Sequence, residues 1–284
     1  MVLSQADNPL TAPIVAPQGK EPRDPALERF TVRGNAIITG GAGVLGLSNA
    51  RALLEHGSSA VCLFDLATSL LSSAQAIEGL KRDFPNAKVF TEELDVTDEN
   101  NVREAVSRCH SAMGSVDILL CFAGIVGSKH SVDVHADEWR RIVDINLTGS
   151  WFTAQAVGKK MIDQGSGGSI MFTASFSAHR VNFPQPQVAY NASKGALLQL
   201  KSSLAAEWAR YGIRVNSISP GYMDTILNEG PGLDAVKEQW YARNPMGRMG
   251  DPTELNGVVI LLCSNAGRYI TGSDIIVDGG GSVF

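Results

Sequence analysis

The chain has 284 residues, of which 29 are acidic and 24 are basic, so its formal net charge at pH 7 is -5. Hydrophobic residues make up 44% of the chain and charged residues 19%, which is enough apolar material for a sizeable core. No Lys/Arg cluster is present, which argues against duplex DNA binding because phosphate neutralisation needs concentrated positive charge. The longest apolar or glycine run, Ile118 to Gly127, is about half of the roughly 20 residues that cross a bilayer. We therefore predict a globular protein that binds neither nucleic acid nor membrane.

Five of the 12 prolines stand at positions 9, 13, 17, 22 and 25. Proline lacks a backbone N–H donor, so we predict an extended or disordered tail over residues 1–30. Residues 31–284 are then expected to form a single catalytic domain. The N-terminus resembles neither a secretory signal nor a transit peptide, so we expect a cytoplasmic location.

The 4 cysteines are far apart and form no C-x-x-C pair. This spacing favours reduced thiols packed in the core over a disulfide or a metal site. None of the 5 histidines has the spacing of a metal-binding pair, so we predict no metal. The cysteines are Cys62, Cys109, Cys121 and Cys263.

From residue 35 onward, short apolar runs alternate with stretches of helical periodicity, which is typical of parallel strands covered by helices on both faces. Right-handed crossovers between such strands predict an α/β fold, a single doubly wound (Rossmann) domain with a seven-stranded parallel sheet. Ligands bind this fold at the carboxyl ends of the strands. The predicted strands are Ala36 to Thr39, Ala60 to Phe64, Lys88 to Glu92, Val116 to Phe122, Ser169 to Thr173, Arg214 to Ser219 and Asp274 to Val277.

A glycine-rich turn, TGGAGVLG at residues 39–46, joins the first strand to a predicted helix. Glycines allow a pyrophosphate to approach the backbone, and the helix N-terminus offers free N–H groups and partial positive charge. Asp65 follows at the end of the second strand, about twenty residues on, as in dinucleotide-binding folds. Its carboxylate can bind an adenosine ribose and would repel a 2′-phosphate. No Arg or Lys stands nearby in sequence to offset that repulsion, so we expect NAD rather than NADP.

Four polar residues predict a catalytic site. Tyr190 and Lys194 are four positions apart in a predicted helix and therefore share a face. A neighbouring ammonium and an oxidised nicotinamide can lower the pKa of a tyrosine from its usual value near 10. Ser175 follows a predicted strand, where its hydroxyl can bind a substrate oxygen, and Asn146 in another predicted helix can hold a water beside the lysine.

The glycine turn and the four polar residues occur in the order typical of the short-chain dehydrogenase/reductase family. The chain resembles this family from Asn35 to the C-terminus. Further matches are Asp95 in an L-D-V triplet and the segment NSISPGYMDT from Asn216 to Thr225. The resemblance implies a homotetramer that uses the helix carrying Tyr190.

The resemblance also implies a role for each residue of the tetrad. Tyr190 is expected to be the general acid/base, and Lys194 to lower its pKa and hold the ribose. Ser175 is expected to position the carbonyl or alcohol group, and Asn146 to maintain a proton relay. The implied cofactor-binding residues are Gly40, Gly43, Leu45, Gly46, Asp65, Leu66, Asp95, Val96, Ala123, Gly124, Tyr190, Lys194, Pro220, Gly221, Met223 and Thr225.

Two positions depart from the family pattern. Val44 stands where the glycine turn usually has a glycine, so the backbone path there can differ, although Gly43 restores a G-x-G-x-x-G spacing. Cys121 stands where the family usually has an asparagine after the fourth strand, and we predict it to be a buried apolar residue without a catalytic role.

Two local segments bear on the substrate, residues 173–179 (TASFSAH) and 182–187 (NFPQPQ). They resemble fungal ketose reductases and polyol dehydrogenases, the mannitol, arabinitol and xylulose-reducing relatives. Their polar side chains can bind sugar hydroxyls, or they can simply satisfy backbone groups of a loop. We therefore expect a ketose and its polyol as substrates. The candidate substrate-binding residues are Ser175, His179, Gln185 and Tyr190, with Asn182 and Gln187 beside them.

Two alternatives remain open. Within the enzyme class, the rival is an NADP-dependent reductase of a bulkier, apolar ketone of steroid or polyketide type. From another class, the rival is a cofactor-sensing regulator that has kept the fold and lost catalysis. The departures from the family pattern at Val44 and Cys121 favour this alternative.

Overall fold

Seven parallel strands form one sheet in the order β3-β2-β1-β4-β5-β6-β7. The structure is a computed structural model that describes residues 1–5, 7–13, 24–225 and 234–283. The order reverses direction between β1 and β4, which places the ligand crevice of a doubly wound sheet at the carboxyl ends of these two strands. The predicted α/β Rossmann fold is therefore confirmed. The strands are β1 Asn35–Thr39, β2 Ala60–Asp65, β3 Lys88–Glu93, β4 Ile118–Cys121, β5 Gly168–Thr173, β6 Ile213–Pro220 and β7 Asp274–Val277.

All seven strands lie where the sequence predicts them, but several ends differ. β4 begins two residues later than predicted and ends one earlier, because only Ile118–Cys121 pair with both neighbouring strands. β6 instead extends to Pro220, which pairs with Val277 of β7. Apolar runs in the sequence indicate the buried part of a strand. The ends of the strand are set by backbone hydrogen bonding to the neighbouring strands.

Helices cover both faces of the sheet, and successive residues of each strand contact opposite layers. In β1, Ile37 packs in the core shared with α5, α7 and α8, whereas Ile38 packs in the core shared with α2, α4 and α10. Both side chains are fully buried. Among the described residues, no helix is long and apolar enough to cross a membrane. The helices are α1 Asp24–Phe30, α2 Val44–Glu55, α3 Ala67–Ser72, α4 Ala74–Asp83, α5 Glu99–Met113, α6 Ala136–Val143, α7 Gly149–Gln164, α8 Val188–Trp208, α9 Asp234–Ala242 and α10 Asn256–Cys263.

The N-terminal segment is not extended throughout, which corrects the prediction for residues 1–30. Residues 24–30 form helix α1, with Pro25 in its first turn, where a missing N–H costs no helical hydrogen bond. Upstream, Asn8 Nδ2 donates to the carbonyl oxygen of Arg210 at 2.8 Å. The prolines at positions 17 and 22 lie outside the described residues. The division into a tail and one domain stays a prediction.

One pair of cysteines departs from the expectation of reduced thiols. Cys62 of β2 and Cys109 of α5 form a disulfide, with their Cα atoms 6.8 Å apart. They are separated by 47 positions in sequence, so no local spacing indicates the pair. It forms because α5 packs over β2 and both residues lie in one buried cluster. Cys121 and Cys263 are free and buried, as predicted.

Candidate active site

The glycine-rich turn forms a cradle that side chains would fill. Gly40 has a positive φ of 64°, and a Cβ there would lie 2.7 Å from the backbone nitrogen of Ala123 after β4. A Cβ on Gly46 would overlap the carbonyl oxygen of Gly40. Gly43 is the N-cap of α2, whose first-turn N–H groups have no acceptor within the helix. The turn thus offers bare backbone and a helix N-terminus, which suits a pyrophosphate.

Val44 fits this turn without strain. It is the first residue of α2, and no non-glycine residue in the described part of the chain has a positive φ. The glycine that the family usually has here is therefore not required by the backbone. Leu45 follows in the same first turn, half-buried.

Asp65, at the end of β2, is held against the glycine turn by two backbone donors. Its Oδ2 accepts from the N–H of Ala42 at 3.0 Å, and its Oδ1 accepts from the N–H of Leu66 at 2.9 Å. The Leu66 side chain is 49% exposed, and Asp65 itself is half-buried. The carboxylate is thus fixed where the cradle meets β2, the position that the sequence predicts for a ribose-binding group.

The next predicted cofactor residues lie after β3 and β4. Asp95 is exposed, and its Oδ1 accepts hydrogen bonds from the N–H and the hydroxyl of Thr97. Val96 is buried against Gly149, where a Cβ would meet its Cγ2 at 2.6 Å. After β4, a Cβ on Gly124 would meet Asn146 Oδ1 at 3.2 Å and Lys194 Nζ at 3.5 Å. This last glycine therefore sits directly beside the predicted catalytic residues.

The structure brings the predicted tetrad together at the ends of β4 and β5. Lys194 is buried in α8, and its Nζ lies 5.6 Å from the ring centroid of Tyr190, one helical turn earlier. Its ammonium donates to the carbonyl oxygen of Thr173 at 2.7 Å, at the end of β5. Ser175 follows two residues later; its hydroxyl donates to Ser177 Oγ at 3.0 Å and acts on the pKa of Tyr190. Tyrosine, lysine and serine thus share one edge of the crevice, where the lysine and the serine are buried.

Burial is the main influence on the pKa of Tyr190. Burial raises the pKa above its ordinary value of 10, and the repulsion from Tyr222 adds to this, whereas the hydrogen bond from Ser175 acts in the opposite direction. The lowering of this pKa that the sequence predicts, by Lys194 together with a bound nicotinamide, stays a prediction.

Burial also shifts the pKa values of two groups near Tyr190, in each case in favour of the neutral form. It lowers the pKa of Lys194 to about 8, although the neighbouring Cys121 opposes this. It raises the pKa of Cys121 to about 12, so this thiol remains protonated and inert at neutral pH. Cys121 is thus buried, as predicted, and its lack of a catalytic role stays a prediction.

Asn146 is fully buried in a π-helical segment, Asp144–Thr148, between α6 and α7. Its Oδ1 accepts from the N–H of Ile125, and its Nδ2 donates to the Ile125 carbonyl and to the Ser193 hydroxyl. Single π-helical turns inside α-helices often mark functional sites. Asn146 thereby fixes the segment after β4 against α8.

The segment after β6 closes the other side of the crevice. The N–H of Gly221, next to Pro220, donates to the Val277 carbonyl, and a Cβ on Gly221 would lie 2.7 Å from Asp278 Cα. Met223 is buried and pairs with Gly250 in an isolated bridge. Thr225 is buried and is the last residue described before 226–233.

Two predicted substrate residues have other partners. His179 Nε2 lies 2.8 Å from Asp274 Oδ2 and 3.2 Å from Ser219 Oγ, so its ring contacts β6 and β7. Gln185 Oε1 accepts from the indole N–H of Trp240 at 3.2 Å. The structure therefore gives His179 a structural partner 95 positions away in sequence, which local sequence does not indicate.

A pocket lies between the turn after β5, where Phe176 follows Ser175, and the segment after β6. Sequence reasoning missed its aromatic wall of Phe176, Tyr222 and Trp240. The available signal was the pairing of a tyrosine directly after Pro-Gly with a tryptophan in the next helix. The pocket is lined by Phe176, Arg180, Phe183, Gly221, Tyr222, Trp240, Arg243, Asn244, Asp278 and Gly281.

Comparison with known proteins agrees with this geometry. A family model described as enoyl-(acyl carrier protein) reductase matches residues 41–282. The chain is 38% identical to a probable NADP-dependent mannitol dehydrogenase of Yarrowia lipolytica, over 89% of this chain and 90% of that protein. It is 36% identical to sorbose reductase SOU1 of Candida albicans, over 96% and 95% respectively.

Among solved structures, a short-chain type dehydrogenase/reductase from Mycobacterium marinum superposes with a TM-score of 0.81 at 37% identity, covering 90% of this chain and 98% of that one. This chain belongs to the short-chain dehydrogenase/reductase family. It is an oxidoreductase of alcohol and ketone groups that uses a nicotinamide cofactor.

Proposed function

We propose that this enzyme interconverts a ketose and its polyol with NAD(H). The observation that carries the proposal is the convergence of Ser175, Tyr190 and Lys194 beside a pocket that combines an aromatic wall with polar side chains. The similarity to proteins named mannitol dehydrogenase and sorbose reductase supports the same substrate class.

The glycine cradle would hold the pyrophosphate of the cofactor, and Asp65 its adenosine ribose. Gly124 and the segment from Pro220 to Thr225 would border its nicotinamide end. When bound in reduced form, the cofactor supplies a hydride to the carbonyl carbon of the ketose. These residues would therefore hold the nicotinamide ring near Tyr190.

The side chains of the tetrad handle the proton. The Ser175 hydroxyl donates to the carbonyl oxygen and orients it, and Tyr190 gives its phenolic proton to that oxygen as the alcohol forms. Burial holds the pKa of Tyr190 high, so the tyrosine remains protonated at neutral pH and is ready to act as the acid. Lys194 keeps a positive charge close to the phenolate that the transfer leaves, and Asn146 holds the surrounding backbone.

NADP(H) is a second candidate cofactor, favoured by the names of several relatives, which are called NADP-dependent mannitol dehydrogenases. Asp65 favours NAD(H), because a 2′-phosphate at the ribose would face its carboxylate. An exposed pair of like charges at about 4 Å costs up to roughly 4 kcal/mol before solvent screening. A homotetramer and a cytoplasmic location remain predictions.

The test is a spectrophotometric panel in which NADH and NADPH are each combined with fructose, sorbose, ribulose and an apolar ketone. We expect the highest kcat/KM with NADH and a ketose. Preference for the apolar ketone with NADPH would instead support the reductase alternative. Tyr190→Phe should lower kcat about 10²- to 10⁴-fold without weakening cofactor binding. Cofactor binding without turnover of any substrate would favour the regulator.

A further inference from the structure

Three aromatic rings form a rigid wall of the pocket beside the tetrad. The rings of Tyr222 and Trp240 are stacked, with centroids 4.0 Å apart and planes 11° apart. Phe176 meets Tyr222 edge-on at 5.0 Å. The indole of Trp240 is also fixed through its hydrogen bond to Gln185. Contacts on both sides restrict the Tyr222 ring, so its hydroxyl has a defined position.

Asn182 lies behind this hydroxyl and is only 7% exposed. Its Nδ2 donates to the Tyr222 oxygen at 3.2 Å. A phenol oxygen that accepts from an amide directs its own proton elsewhere, so the Tyr222 hydroxyl is a donor for another group. The Asn182 Oδ1 is buried without a hydrogen-bond partner among the residues that the structure describes. A buried polar atom of this kind is costly unless a ligand pairs with it.

The Tyr222 ring lies beside the turn that carries Ser175, since Phe176, the next residue, meets it edge-on at 5.0 Å. Repulsion from Tyr222 also adds, after burial, to the raised pKa of Tyr190. Burial also raises the pKa of Tyr222 above 10, although Asn182 and the nearby Arg180 and Arg243 act in the opposite direction. Tyr222 is therefore protonated at neutral pH and available as a donor.

We propose that Tyr222 determines specificity for hydroxylated ketones, by donating a hydrogen bond to a hydroxyl oxygen on the carbon chain beside the reacting carbonyl. Asn182 is the positioning residue that orients this donor. The inference rests on the proposed function, since it assigns the hydroxyl-recognising group of the same site. A substrate without hydroxyls leaves the Tyr222 donor unpaired and is disfavoured.

The test is Tyr222→Phe, which removes one oxygen and keeps the ring. We expect kcat/KM for the best ketose of the panel to fall about tenfold, the value of one neutral hydrogen bond. Reduction of cyclohexanone, which carries no hydroxyl, should change less than about twofold. The dissociation constant of NADH should stay within about twofold, because Tyr222 is assigned to the substrate.

Tyr241→Phe is the matched control, since this neighbouring tyrosine of α9 is 37% exposed and lies outside the pocket lining. It should leave both kcat/KM values unchanged. Asn182→Ala should reproduce the selective loss with the ketose. The double variant should lose little more than either single one, because the two residues act as a unit.

An undiminished kcat/KM of Tyr222→Phe with the ketose, or equal losses with ketose and cyclohexanone, would overturn the inference. If the wild type does not reduce cyclohexanone, the KM for the ketose decides. A higher KM in Tyr222→Phe and Asn182→Ala, at unchanged melting temperature, supports the inference. An unchanged KM overturns the inference. If the wild type reduces no ketose at all, the proposed function itself fails, before any variant is compared.

Discussion

The Nζ of Lys194 donates a hydrogen bond of 2.7 Å to the carbonyl oxygen of Thr173. This contact joins the second turn of the crevice-facing helix α8 to the end of β5, two residues before Ser175. The lysine thus fixes the strand end that carries the serine, in addition to placing a cation near Tyr190. Its burial lowers its pKa to about 8.

We expect Lys194→Met to lower turnover at every pH and to change the pH dependence of stability. The pKa of Lys194 is about 8 in the folded protein and 10.5 for a freely hydrated lysine, as in the unfolded chain, so the folded state releases the proton at lower pH. The free energy of unfolding of the wild type, relative to the variant, should therefore rise between pH 8 and 10.5, by about 3 kcal/mol. Chemical denaturation across this pH range measures it.

Below pH 8 the difference between the two proteins should be constant, since both states of the wild type then hold the proton. Turnover of Lys194→Met should fall at least about a hundredfold at every pH. Parallel stability curves from about pH 7 to 11 would show that burial does not disfavour the ammonium.

Asp65→Asn should shift cofactor preference toward NADPH. The amide keeps the shape of the side chain and removes the charge that faces a 2′-phosphate. After allowance for solvent screening, we expect the ratio of kcat/KM with NADPH to that with NADH to rise about 10- to 100-fold. Glu55→Gln, an exposed carboxylate at the end of α2, removes the same net charge and should leave the ratio unchanged. If the ratio of kcat/KM with NADPH to that with NADH is equal in both variants, Asp65 does not bind the ribose.

Gly46→Ala should weaken cofactor binding. The added Cβ would lie 2.7 Å from Gly41 Cα and overlap the Gly40 carbonyl, so the cradle has to open. We expect the dissociation constant of NADH, measured by fluorescence titration, to rise at least about tenfold. Gly79→Ala in α4 is the control, because its Cβ would lie 3.7 Å from its nearest neighbour, Arg82. It should raise stability by about 0.5–1 kcal/mol and leave binding intact.

His179→Ala tests the structural assignment of this histidine. Loss of the contacts with Asp274 and Ser219 should lower the free energy of unfolding by about 1–2 kcal/mol, since the ring is partly exposed. The KM for the ketose should stay within about twofold of wild type. A tenfold rise in KM at unchanged stability would return His179 to the substrate site, as the sequence predicted.

The sequence alone was sufficient for the fold class and for predicting that Tyr190 and Lys194 share one helix face beside Ser175. Both depend on short-range patterns: apolar runs of strand length, helical spacing of Tyr190 and Lys194, and glycines between a strand and a helix. Such patterns act through local backbone geometry, so they can be recognised without knowing distant neighbours. Strand ends were less well predicted, because pairing with adjacent strands sets them. Helix α1 was missed, because Pro25 is compatible with a first helical turn.

Tertiary structure alone decided which distant side chains meet. His179 hydrogen-bonds Asp274, Lys194 donates to the Thr173 carbonyl, and Trp240 stacks on Tyr222. The partners in each pair belong to different structural elements. Burial then sets the pKa of Tyr190 above its usual value, which the spacing to Lys194 does not reveal. These contacts depend on how helices pack on the sheet, a property of the whole chain that no short stretch of residues encodes.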